Sequence, residues 1–149
     1  MVDVGANQVV LRSPKLEFVE KAIQTFGPEK IIIQIFANRM ELIEDREKKR
    51  VDDYTEVVDY AEKLVELGVK TIMYKDKRSE GILTNPNYDK IDRLFLTTGD
   101  DLKIYSSGGI SAPHHLKLLK KIGASGAMIG KALFERKISI REAQNAVQD

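Results

Sequence analysis

The sequence predicts an α/β fold in which a parallel sheet is assembled from repeated βα units. Three observations carry the prediction. Short apolar runs alternate with amphipathic segments along the whole chain. One junction also recurs: an apolar residue, a Gly, a small or β-branched residue and two linker positions lead into an apolar run. It appears at Val4-Gly5-Ala6 before Val9-Val10-Leu11, at Leu67-Gly68-Val69 before Thr71-Ile72-Met73-Tyr74, and at Ile122-Gly123-Ala124 before Ala127-Met128-Ile129. A Gly just past a helix takes the left-handed conformation that ends it. Finally, these glycines lie 63 and 55 residues apart, which is two βα units of about 30 residues per interval.

The elements follow in order. Val9 to Leu11 is an apolar run and the first strand. Leu16 to Phe26 is helical, because Leu16, Val19, Ile23 and Phe26 share one face, and Gly27-Pro28 stops it. Ile31 to Phe36 is rich in β-branched residues and too short for a helix, so it reads as a buried strand. Asn38 to Arg50 is polar, and its charged run from Glu41 to Arg50 reads as a solvated, mobile loop. Asp53 to Leu67 is a helix, with Val57, Tyr60, Ala61, Leu64 and Leu67 at helical spacing. Thr71 to Tyr74 is a strand leading into a loop from Lys75 to Pro86. Tyr88 to Leu96 is helical with Ile91, Leu94 and Phe95 inward, and Leu102 to Tyr105 is the next strand. Ser111 is the expected N-cap of a helix with Pro113 in its first turn, running to Lys121. A last strand from Ala127 to Ile129 ends in Gly130, and a short helix and an amphipathic helix from Ser139 to Val147 follow. Handedness rules leave two arrangements for these five strands, an open doubly wound sheet or part of a (βα) barrel.

Composition narrows the function. The chain has 149 residues, which fits a single domain. There is no cysteine, which removes disulfides, thiol nucleophiles and zinc–thiolate sites. With 24 Lys+Arg against 23 Asp+Glu, a nucleic-acid or membrane-surface partner is not expected. No apolar run approaches the ~20 residues of a membrane span, and a cytoplasmic protein is expected. A closed eight-unit barrel typically takes ~250 residues, so the chain is short for one and reads as beginning partway through a longer repeat.

In parallel α/β folds, ligands bind at the carboxyl ends of the strands. The fourth strand ends in Ser106-Ser107-Gly108-Gly109-Ile110-Ser111, where glycines allow close approach and a helix N-terminus offers N–H groups to a phosphate. The fifth ends in Gly130-Lys131, again opening a helix. Two such loops at adjacent strand ends are more specific than either alone, and together they predict a phosphate site at Ser107, Gly108, Gly109, Gly130 and Lys131. The third strand leads into Lys75-Asp76-Lys77-Arg78-Ser79-Glu80-Gly81. Asp76 and Glu80 could act as acid, base or ribose-binding groups, against the alternative of a solvated charged loop. His114 and His115 point in different directions on one helical turn, read as surface residues, and do not suggest a metal. No cofactor is expected.

These motifs, in this order, resemble the C-terminal half of the histidine-biosynthesis (βα)8 barrels. The isomerase acting on phosphoribosylformimino-AICAR phosphate is the nearer match, and the cyclase subunit of imidazole glycerol phosphate synthase is next. Gly5 to Leu11 resembles the isomerase's fourth strand and lead-in, and Tyr74 to Gly81 with Asn85-Pro86-Asn87-Tyr88 its sixth-strand loop. Ser107 to Ser111 resembles the seventh-strand loop, and Ile129 to Glu135 the eighth. The resemblance implies half of an eight-stranded TIM barrel, with about five strands. It implies an Amadori aminoaldose-to-aminoketose rearrangement on a substrate with two phosphates, one of them held by this half. Lys75, Glu80 and Gly81 would contact substrate, and Asp76 is the surviving candidate for acid–base catalysis. The family's catalytic carboxylates sit at the ends of its first and fifth strands. The first lies outside this half, and Phe36 stands where the fifth-strand Asp belongs. Open sheet edges further imply completion by a homodimer or a complementing half-barrel. A flavodoxin-like open sheet serving as a binding module is the alternative.

Overall fold

A computed structural model describes residues 5–38, 41–42, 56–79 and 81–148. The elements alternate as expected: β1 (Val9–Arg12), α1 (Leu16–Phe26), β2 (Ile31–Asn38), β3 (Glu41–Leu42), α2 (Val57–Glu66), β4 (Thr71–Asp76), α3 (Tyr88–Thr98), β5 (Lys103–Ser107), α4 (Pro113–Lys121), β6 (Gly126–Met128), α5 (Lys131–Phe134) and α6 (Ile140–Asn145).

The five strands β1, β2, β4, β5 and β6 pair in parallel and in sequence order. A doubly wound, flavodoxin-like sheet reverses its order at a switch point. No reversal occurs here, so that alternative gives way to the order of a barrel segment. The observed architecture is a parallel βα half-barrel.

The register sorts the strand residues into two faces. Ile31, Ile33, Ile35 and Ala37 of β2 alternate inward toward the helices, joined by Ile72 and Tyr74 of β4 and Ile104 of β5. Val19, Tyr60, Leu64, Ile91, Leu94 and Leu119 cover them from α1 to α4, and this layer is the core. The other face carries Ile32, Phe36 and Met73 near its middle and Val10 and Met128 at its margins. In a closed barrel this second face would line the interior.

The recurring junction forms as its sequence requires. Gly5, Gly68 and Gly123 have φ of +89°, +82° and +89°. At the latter two, paired reverse bonds close the helix: Val69 N–H to the Leu64 carbonyl with Gly68 N–H to Val65, and Ala124 N–H to Leu119 with Gly123 N–H to Lys120.

Several boundaries move. β2, β4 and β5 each continue two residues past the expected end, because their neighbours carry the ladder onward into polar positions. The last strand is one residue early. Within the charged run expected to be a loop, Glu41–Leu42 pairs antiparallel with Asn38 and Ala37. Residues 43–55 of that run and of the following helix start lie outside the described residues. The N-cap of α4 is Ala112 rather than Ser111. The Ser111 hydroxyl is committed elsewhere, donating to the Leu83 carbonyl at 3.1 Å. Among the described residues no helix is long and apolar enough to cross a membrane.

Candidate functional site

The carboxyl ends of β4, β5 and β6 frame a cleft of about 160 Å³. Lys75 and Ser107 enter it from the strands, Gly108 and Gly109 from the β5 loop, and Gly130 and Lys131 from the entry to α5. Gly81, Ile82 and Leu83 of the β4 loop close one side, and Met128 closes another. The expected phosphate residues, together with Lys75 and Gly81, are thus brought to one place. Glu80 lies outside the described residues.

The register explains part of this convergence. Phe36, Lys75, Ser107 and Met128 are successive partners across β2, β4, β5 and β6. They form one row on the face away from the helices. Asp76 is one residue further along β4, so its side chain belongs to the opposite face, beside Ala37.

That placement sets Asp76 apart from the other expected site residues. It is 1% exposed and does not line the cleft. One carboxylate oxygen accepts the Arg78 N–H at 2.8 Å; the other accepts from the Asn87 amide at 2.6 Å and the Tyr74 hydroxyl at 3.5 Å. The Asp76 carbonyl accepts from the Ser79 hydroxyl at 3.0 Å. Both carboxylate oxygens of Asp76 thus help to fold the β4 loop. Burial, and then the neighbouring Asp76 charge, push the Tyr74 phenol well above its ordinary range, so it stays a donor.

The glycines differ from one another. A Cβ at Gly109 would lie 2.1 Å from the Asn85 carbonyl oxygen, and one at Gly108 would lie 2.9 Å from the Ser79 hydroxyl. The close approach these residues permit is first that of the β4 loop. Gly130 has nothing within 4 Å of its Cβ position and borders open space. The Lys131 ammonium donates to the Gly81 carbonyl at 2.8 Å and lies 3.5 Å from Glu135. It therefore ties the β4 loop to the α5 entry instead of pointing away.

Phe36 is 4% exposed, and the Arg12 guanidinium lies over its ring at 4.3 Å from the centroid. The Lys75 ammonium is 6.0 Å from that centroid. Ser13 fixes this corner: its backbone has φ of +35°, its N–H donates to the Gln34 carbonyl, and its hydroxyl accepts the Phe36 N–H at 3.0 Å. Arg12 and Ser13 carried no sequence signal for this role, since the end of β1 has no Gly motif. His115 is a correction: it is 2% exposed, not at the surface. Among the described residues, no group of acidic or histidine side chains could hold a metal.

The model of the family described as histidine biosynthesis protein matches residues 1–139. The chain belongs to this histidine biosynthesis family. It is similar to phosphoribosylformimino-AICAR-phosphate isomerases from several bacteria. It is 41% identical to that of Lachnoclostridium phytofermentans over 146 residues, 95% of this chain and 59% of the relative. With that of Alkaliphilus metalliredigens the figures are 32% over 143 residues, 94% and 58%. With that of a Thermoanaerobacter species they are 33% over 152 residues, 99% and 61%. The chain thus spans about three-fifths of the length of these members of the histidine biosynthesis family.

Proposed function

We propose that this chain is the phosphate-holding half of an isomerase-like barrel. It binds the phosphate of a phosphosugar in the cleft between the β4, β5 and β6 ends. It carries out an Amadori rearrangement only when a second half completes the site. One observation supports this above others: Lys75, Ser107, Gly130 and Lys131 converge on one cleft, while a phenyl ring stands in the row where the resemblance puts a carboxylate. Two ammonium groups and a set of loop amides favour a bound anion. Phe36 cannot transfer a proton, and Asp76 lies outside the cleft, bonded to Arg78 and Asn87.

Titration with sulfate, followed by amide NMR, tests the binding half. Shifts concentrated at Gly108, Gly109, Gly130 and Lys131 are expected; no shift at these amides overturns it. The chemical half predicts no turnover of a two-phosphate aminoaldose by the chain alone. Turnover should appear on adding a separately produced N-terminal half of a relative. Turnover by the chain alone at any concentration would instead favour a catalytic homodimer.

A further inference from the structure

We propose that His115 is the positioning residue of the anion cradle and holds it only while its imidazole is neutral. Acidification would then release a bound phosphate ester. The proposal rests on the anion-binding reading of the cleft.

His115 sits in the first turn of α4, 2% exposed. Its Nδ1 accepts the Ser111 backbone N–H at 3.2 Å. An accepting Nδ1 carries no proton, so the ring proton is on Nε2. Ser111 closes the Gly108-Gly109-Ile110 turn, and its hydroxyl donates to the Leu83 carbonyl across the cleft wall. One imidazole nitrogen therefore fixes the residue that joins the β5 loop to the β4 loop. Protonating Nδ1 would aim two N–H groups at each other and leave a buried cation.

Among the described residues, two titratable rings face the His115 imidazole. Tyr88 of α3 meets it edge-on at 6.4 Å, and His114 of α4 at 4.3 Å. Among the described residues no carboxylate hydrogen-bonds or ion-pairs with it. Burial first, and the His114 charge second, hold its pKa below the ordinary 6.5. The hold is thus intact above pH 6.5 and is lost as the pH falls through the lowered value. The sign is diagnostic. Acidification adds positive charge to the chain and by itself tightens anion binding.

Sulfate is a suitable probe because its charge is constant across this range. Calorimetry at about pH 7.5 and again below the ring titration located by NMR, at fixed ionic strength, compares the neutral with the protonated imidazole. Binding about five-fold weaker at the lower pH is expected, the effect of one ordinary hydrogen bond. His115→Asn puts a non-titrating acceptor at the place of Nδ1 and should bind alike at both values. His115→Leu should be weak at both. No sulfate binding at the higher pH overturns the anion reading itself. Binding there that is equal or tighter at the lower pH overturns only the role of His115, as does a His115→Asn chain that keeps the loss. NMR gives a readout independent of binding: the Ser111 amide should titrate together with the His115 ring in the wild type. A Ser111 amide that ignores that titration also overturns the proposal.

Discussion

At Gly109 an added methyl would meet the Asn85 carbonyl oxygen at 2.1 Å, in a residue whose φ is +74°. Contact and conformation oppose it together, so Gly109→Ala should destabilise the chain by about 3 kcal/mol in urea unfolding. Gly130 has open space around its Cβ position and a φ of −117°. Gly130→Ala should leave stability within about 0.5 kcal/mol, while sulfate affinity falls because the methyl enters the cleft. The pair separates a glycine needed for packing from one needed for access. The Gly-Gly doublet announced close approach in the sequence, but not by what. Only the fold brings Asn85 beneath it. The same limit applied to Phe36: the alignment of its apolar strand placed it in the catalytic row, yet nothing signalled that Arg12 covers its ring. Phe36→Asp returns a carboxylate to that row, next to Arg12 and Lys75. It should raise turnover when a second half is supplied. Unchanged turnover would place the deficit elsewhere in the site.

Among the elements, the strands and helices were legible wherever an apolar stripe ran to a Gly or Pro stop. α1 matches to the residue because Gly27-Pro28 marks its end. The strand ends were not legible. Lys75, Asp76, Ser106 and Ser107 are polar, and a buried ladder continues through them only because neighbouring strands do the same. Asp76 shows the consequence. From the sequence it was a carboxylate at a strand end; in the fold, strand alternation turns it toward the helix layer. Asp76→Asn sets an amide against the Asn87 amide and removes a charge-assisted bond to Arg78. A loss of about 2 kcal/mol is expected in thermal unfolding. At the other end of the chain, the capping box of α6 pairs Ser139 with Glu142. Ser139→Ala should lower stability by about 1 kcal/mol, with faster amide exchange confined to α6.

For the whole molecule, the parallel class followed from spacing, whereas the barrel order rested on resemblance, since periodicity does not encode which strands are neighbours. Among the described residues, β1 pairs only with β2, and β6 only with β5. The margins of the face away from the helices carry Val10, 44% exposed, and Met128, 48% exposed. A second copy or a complementing half-barrel that pairs these edges would bury both residues. Sedimentation at micromolar concentration should therefore show a dimer, and a well-folded monomer would rule out self-completion. The sequential order of the strands has a further consequence, for the path of folding. Each strand joins one already placed beside it, so the sheet can lengthen from its middle outward without threading a segment between others. Protection from solvent exchange should then grade from β2 and β4 down to β1 and β6, and the last amides to exchange should mark where the chain first takes shape.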